Sequence, residues 1–173
     1  MYKIGIIGNG FVGSSVTHGF SANTGCDVDD IKIYDKDDSK STHTLSEVVN
    51  DSDYVFISVP TPSNLDGSIN LDIVYDVFEN IEKCRKDKSN PVLLLRSTVL
   101  PGTTTKIQRK YPTLSIVFNP EFLTERSAKL DFINQSRFIL GGSWGNTESV
   151  ARLYQWRFGN YIPIIKTNFE TAE

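Results

Sequence analysis

Lys3-Ile4-Gly5-Ile6-Ile7 runs straight into Gly8-Asn9-Gly10-Phe11-Val12-Gly13, and Ile31-Lys32-Ile33-Tyr34 delivers Asp35. The order is a short apolar strand, a Gly-x-Gly-x-x-Gly turn, an amphipathic helix, a second strand and an acid at its end. Each glycine answers a separate steric demand. Gly8 permits the tight turn out of the strand, Gly10 lets main-chain N–H groups approach a diphosphate, and Gly13 lets the helix pack closely on the sheet. The diphosphate then sits at the positive end of the helix, where unpaired N–H groups point at it. Asp35 stands about twenty residues beyond Gly13, where an acid accepts hydrogen bonds from an adenosine ribose. Glycines also mark ordinary turns, but here the context agrees on both sides. The expectation is a dinucleotide site built from Gly8, Asn9, Gly10, Phe11, Val12, Gly13, Asp35 and Lys36. Asp35 favours NAD over NADP because its charge repels a 2′-phosphate, a preference that Lys36 and Lys40 soften.

Beyond Asp35, apolar runs alternate with helical patterns to the end of the chain. The pattern predicts strands at 3–8, 31–35, 54–59, 92–96, 115–118 and 137–141, with a further one near 161–165. Helices are expected at 11–22, 44–50, 71–87, 102–110, 124–130 and 147–158. The first should bury Val12, Val16 and Phe20; the third shows Ile73, Val74, Val77, Phe78 and Ile81 on one face. Val92-Leu93-Leu94-Leu95 is apolar on consecutive residues, as strands covered on both faces are. The fold expected is therefore α/β and doubly wound, a Rossmann-type, mostly parallel sheet with helices on both faces.

At 173 residues the chain is long enough for one domain with a proper core, spanning 1–173. A net charge of −3 gives nucleic acid or an anionic membrane no electrostatic reason to bind. No apolar run approaches the roughly 20 residues that span a bilayer, so the expected compartment is the cytoplasm. Of the acids at Asp27, Asp29, Asp30, Asp35, Asp37 and Asp38, only Asp35 is placed for a specific role; the others are read as solvated loop charges. Two cysteines make no disulfide framework, Cys84 falls at helical spacing with Val77 and Ile81 as a core residue, and Cys26 lies in an acidic loop with no histidine close by. With only His18 and His43 and no Cys-x-x-Cys, no metal site is expected.

Two loops follow predicted strands at their carboxyl ends, the edge where open α/β sheets bind ligands. They are Val59-Pro60-Thr61-Pro62-Ser63-Asn64-Leu65-Asp66-Gly67-Ser68 and Ser97-Thr98-Val99-Leu100-Pro101-Gly102-Thr103. A third segment, Phe118-Asn119-Pro120-Glu121-Phe122-Leu123-Thr124-Glu125-Arg126-Ser127-Ala128, precedes Ser136-Arg137-Phe138-Ile139-Leu140-Gly141-Gly142. In this order, over nearly the whole chain, these segments resemble the N-terminal NAD-binding domain of the UDP-glucose/GDP-mannose 6-dehydrogenase family. The resemblance implies oxidation of the C6 alcohol of a nucleotide sugar, UDP-glucose first, to a carboxylate with two NAD⁺ and a covalent thioester. It implies that Val59, Pro60, Thr61, Ser97 and Thr98 flank the ribose and nicotinamide, and that Glu121, Phe122, Leu123, Thr124 and Glu125 lie along the sugar diphosphate. Thr98 and Glu125 match positions that orient a catalytic water and handle its proton, with Glu121 a supporting acid. The plainer readings, a solvated helix acid at Glu125 and an N-terminal helix charge at Glu121, stay open on the residues alone.

Departures from the family pattern qualify this. The family's cysteine nucleophile, a lysine, an asparagine and an aspartate lie downstream, on a long central helix and in a C-terminal nucleotide-sugar domain; Thr171-Ala172-Glu173 resembles the start of that helix. Without a thiolate the second oxidation has no covalent mechanism. The stretch from Asp35 to Asp53 is short for the family, and Arg126 stands where many relatives carry glycine or another residue. Two rivals remain: a catalytically silent dinucleotide-binding module, and the N-terminal domain of a β-hydroxyacid-type dehydrogenase, which lacks the Asn119 to Leu123 segment. The expected partners are a nucleotide sugar and a missing C-terminal half or a second copy in a homodimer.

Overall fold

The apolar runs become seven short strands: β1 (Ile4–Ile7), β2 (Ile31–Tyr34), β3 (Tyr54–Ile57), β4 (Val92–Leu95), β5 (Ser115–Phe118), β6 (Phe138–Gly142) and β7 (Ile164–Thr167). Between them lie α1 (Phe11–Gly19), α2 (Leu45–Asn50), α3 (Asp72–Cys84), α4 (Thr103–Lys110), α5 (Ala128–Ile133), α6 (Trp144–Phe158) and α7 (Phe169–Ala172). This computed structural model describes residues 2–26, 28 and 30–173, so the reading of Asp27 and Asp29 as loop charges lies outside the described residues.

The strands form one sheet in the order β2-β1-β3-β4-β5-β6-β7. Every neighbouring pair is parallel except β5 and β6, where Val117 and Phe118 face Gly142 and Gly141 in antiparallel register. α5, six residues long, lies in the connection between β5 and β6, and the chain enters β6 from the same end of the sheet at which it left β5. α6 has fifteen residues and makes the ordinary crossover between β6 and β7.

Consecutive apolar residues in the central strands feed two cores. Ile4, Ile6, Phe56, Leu94 and Val117 meet Val16 and Phe20 from the first helical segment, Phe132 of α5 and Tyr154 of α6. Ile7, Val55, Ile57, Leu93, Leu95 and Ile116 meet Val48 and Val49 of α2, Val74, Phe78 and Ile81 of α3, and Ile107 of α4. Fully burying such a side chain contributes roughly 1.5–3 kcal/mol, so a sheet covered on both faces stabilises itself twice over. Two residues expected in the core are elsewhere: Val12 is half-buried and Ile73 is 38% exposed, and both line the cleft described below.

Local chemistry sets several boundaries. α2 begins with a capping box, in which the Glu47 N–H donates to the Thr44 hydroxyl and the Thr44 N–H donates to the Glu47 carboxylate. Residues 124–127, expected as helix, form a turn. Asp131 holds them there, accepting from the Thr124 N–H at 2.8 Å and from the Thr124 and Ser127 hydroxyls. Those donors keep the Asp131 carboxyl below its usual range, the Thr124 N–H first among them. α6 starts three residues before the expected 147, because the Ser143 hydroxyl accepts from the Asn146 N–H and caps an extra turn. The last strand starts at Ile164 rather than 161, directly after Pro163, which has no N–H to offer a ladder.

Candidate functional site

Gly8 has φ +88°, a left-handed conformation, and a Cβ there would sit 2.4 Å from the Ser58 carbonyl oxygen. A Cβ on Gly13 would lie 1.9 Å from the carbonyl oxygen of Gly8, so α1 reaches the turn only because that residue has no side chain. Gly10 faces open space, with nothing within 4 Å of where a Cβ would stand. No side chain caps α1. Its first N–H groups are therefore directed at the open side of the turn, where an anion is favoured.

Asp35 closes the other side. Its Oδ2 accepts from the Asn9 N–H at 2.6 Å and its Oδ1 from the Asp37 N–H at 2.9 Å, while its own N–H donates to the Ser41 hydroxyl at 2.8 Å. The Asn9 side chain turns outward and donates to the carbonyl of Lys40 at 3.2 Å. Lys40 also pairs with Asp37 at 3.6 Å across an exposed surface, a contact worth little in water.

The carboxyl ends of β1 to β5 enclose a cleft of about 710 Å³. Its lining includes Gly8, Gly10, Phe11, Val12, Asp35, Lys36, Val59, Pro60, Thr61, Ser97, Thr98 and Glu121. A wider depression of about 980 Å³ opens around Tyr2, Tyr54 and Trp156, at the amino ends of the strands. Volume does not decide between them. The edge carrying the glycine turn is the one where parallel strands present ligand-binding loops.

The two loops meet through one hydroxyl. Ser97 Oγ accepts from the Val59 N–H at 2.9 Å and donates to the Val59 carbonyl at 2.8 Å. Ser97 is thus a buried clip, and Thr98 beside it is the exposed member facing the cleft. Glu121 is half-buried on the lining, its Oε2 accepting from the Leu123 N–H at 3.2 Å. Leu123 packs on the core, and Phe122 is exposed beneath the Arg137 guanidinium, 5.0 Å from the ring centroid. Thr124 is engaged with Asp131, and Glu125 lies exposed on the turn before α5, off the lining. Cys26 is buried in one core and Cys84 is half-buried against the other, where burial pushes its thiol pKa up. Neither cysteine lines the cleft. Among the described residues no three His, Cys, Asp or Glu side chains gather as metal donors, and no helix is long and apolar enough to cross a membrane.

Sequence reasoning missed a buried network under this floor. Arg96, 1% exposed at the end of β4, donates through Nη1 to Asn119 Oδ1 at 2.5 Å. The Tyr154 hydroxyl donates to the same oxygen at 2.5 Å, and Asn119 Nδ2 donates to the Ile139 carbonyl at 2.9 Å. Burial pushes the Tyr154 pKa up to about 12, and its ring stacks on Phe138 at 3.8 Å. Strands β4, β5 and β6 are tied to α6 through these groups. The one local signal was a charged residue ending an otherwise apolar strand.

The family model for the UDP-glucose/GDP-mannose dehydrogenase NAD-binding domain matches residues 32–157. A UDP-glucose 6-dehydrogenase from Haloferax volcanii is 29% identical over 99% of this chain and 49% of its own length. One from Rickettsia typhi is 30% identical over 99% of this chain and 46% of its own. The chain thus spans about half the length of these curated relatives. Among solved structures, a GDP-mannose dehydrogenase from Pseudomonas aeruginosa superposes with a TM-score of 0.82 at 24% identity, over 98% of this chain and 47% of that one. A UDP-glucose dehydrogenase from Pyrobaculum islandicum gives 0.81 at 22% identity, over 99% and 47%. These two likenesses establish the Rossmann-type fold. With the family model covering well over half of its residues, this chain belongs to the UDP-glucose/GDP-mannose dehydrogenase family and forms its NAD-binding domain.

Proposed function

We propose that this chain is the cofactor half of a nucleotide-sugar 6-dehydrogenase, which oxidises the C6 alcohol of UDP-glucose to a carboxylate in two NAD⁺-dependent steps through a thioester. The observation that carries this reading is the convergence of the glycine turn, Asp35, Thr61, Thr98 and Glu121 on one cleft in a chain of this family. UDP-glucose is chosen over other nucleotide sugars because the two curated relatives described above carry that name.

The cleft suits the cofactor, since the space beside Gly10 is open and α1 has no side-chain cap. Bound NAD⁺ supplies a hydride acceptor at each oxidation. The N–H groups of α1 hold its diphosphate, Asp35 accepts from the adenosine ribose, and Pro60, Thr61 and Thr98 border the nicotinamide end. The Thr98 hydroxyl, exposed and next to the fixed Ser97, orients the water that hydrolyses the thioester. Glu121 is on the lining, where it serves as the supporting acid. Glu125, exposed on the turn before α5, would handle the proton of that water. A thioester needs a thiol at C6, and neither Cys26 nor Cys84 lines the cleft. The nucleophile therefore lies outside this chain, with the lysine, asparagine and aspartate that serve it.

The test is an assay of NAD⁺ reduction with UDP-glucose, GDP-mannose and UDP-N-acetylmannosamine, using this chain alone and with the segment carrying the remaining groups. UDP-glucose should be oxidised fastest, and only by the complete protein. Faster oxidation of another sugar overturns the substrate, and a chain that NAD⁺ fails to stabilise overturns the reading as a whole.

A further inference from the structure

α4 begins without a cap of its own. Its N-cap residue is Gly102, held at φ +89°, and no side chain in the loop before it accepts the first N–H groups. Such groups are costly to leave unpaired. The Thr103 N–H donates to the Leu100 carbonyl at 3.0 Å, and two others are met from the far end of the described chain: Glu173 Oε2 accepts from the Gly102 N–H at 2.5 Å and Oε1 from the Thr104 N–H at 2.7 Å. A carboxylate at a helix N-terminus also complements the helix dipole. The carboxylate is held in place by tight packing of α7 on β6, where a Cβ on Gly141 would lie 2.6 Å from the Ala172 Cβ.

The loop preceding α4 carries Thr98. At its start, Ser97 is clipped to Val59; at its end, Gly102 is clipped to Glu173. Between those anchors only Val99 is buried, while Thr98, Leu100 and Pro101 are exposed. The geometry points to Glu173 as a positioning residue: by fixing the start of α4 it holds the Thr98 loop in register with the nicotinamide end of the cleft. This rests on the reading of Thr98 as a neighbour of the nicotinamide. Glu170 supplies an internal comparison, since its carboxylate accepts from the Thr105 hydroxyl, a side chain, rather than from the N–H groups of Gly102 and Thr104.

The experiment separates the two ends of the cofactor. Calorimetric titrations of the 173-residue chain with NAD⁺ and with ADP compare the unmodified protein with Glu173→Ala, Glu173→Gln and Glu170→Gln. ADP reports the half held by the glycine turn and Asp35; only NAD⁺ reaches the Thr98 loop. Glu173→Ala should weaken NAD⁺ about fivefold to tenfold, Glu173→Gln less because one acceptor remains, and ADP affinity should stay within about twofold. Glu170→Gln should match the unmodified chain for both ligands. If NAD⁺ and ADP weaken together, or if Glu170→Gln reproduces the effect, Glu173 is only a helix cap and the proposal is overturned. The glutamine variant keeps the test sharp should the alanine variant fold poorly. An unmodified chain that binds neither ligand sinks the cofactor reading itself, a result distinct from an unchanged ratio in chains that bind both.

Discussion

The main-chain N–H of Asn9, at the centre of the glycine turn, donates to Oδ2 of Asp35 at 2.6 Å. The turn after β1 and the acid after β2 are therefore one unit, and the carboxylate is held at the rim of the cleft before any ribose arrives. A carboxylate has about four lone-pair sites, so the bonds from Asn9 and Asp37 leave acceptor capacity for ribose hydroxyls.

That relationship predicts cofactor selectivity. NAD⁺ should raise the melting temperature more than NADP⁺ at equal concentration, because a 2′-phosphate would be set against the Asp35 charge. Asp35→Asn should weaken NAD⁺ about tenfold and narrow the gap to NADP⁺. Equal stabilisation of the unmodified chain by both cofactors would refute the role given to Asp35.

The glycines should separate folding from binding. Gly10→Val places its side chain in open space, so the free protein should melt close to the unmodified chain while NAD⁺ no longer stabilises it. Gly13→Ala drives a Cβ into the Gly8 carbonyl and should cost about 1–3 kcal/mol of stability before any ligand is added. Thermal melts with and without NAD⁺ check both, and a Gly10→Val chain that still responds fully to NAD⁺ would contradict the site.

The Tyr154 hydroxyl predicts an alkaline limit. Its folded pKa is raised from 10.0 to about 12 by burial, so between those values the folded state holds a proton that the unfolded state has released. The stabilisation is complete below about pH 10 and is lost as pH rises toward 12. Tyr154→Phe should lower stability by about 1 kcal/mol at neutral pH through the lost bond to Asn119. It should also flatten the alkaline fall. Denaturant melts across that range provide the measurement; an unchanged pH slope in the variant would show that another group sets it.

The absence of either cysteine from the cleft predicts that this chain, purified alone, makes no UDP-glucuronate from UDP-glucose and NAD⁺. Sustained product formation, followed by chromatography, would require a nucleophile other than the one inferred.

In the complete enzyme, Thr98→Ala and Glu121→Gln should slow thioester hydrolysis more than thioester formation, since only the later step needs the water. The covalent intermediate should then build up as added mass on the cysteine, seen by intact-protein mass spectrometry. Glu125→Gln should act in the same direction. If it has no effect while Glu121→Gln accumulates adduct, the exposed position of Glu125 is its working position and the proton belongs to Glu121.

The features legible in the sequence are local and periodic. The β1 turn, α1, β2 and Asp35 are contiguous, and their roles follow from backbone sterics and spacing over a few turns of chain. Strands with apolar residues on both faces announced a covered, largely parallel sheet for the same reason. The tertiary structure alone decided the antiparallel β6, which depends on the end from which the chain re-enters the sheet. It alone brought Arg96, Asn119 and Tyr154 together, set Glu121 rather than Glu125 on the cleft wall, and delivered Glu173 to the start of α4. Each of these joins groups far apart in sequence, or depends on which way a turn faces. No periodicity records such contacts, because their partners are chosen by packing across the sheet rather than by the neighbouring residues.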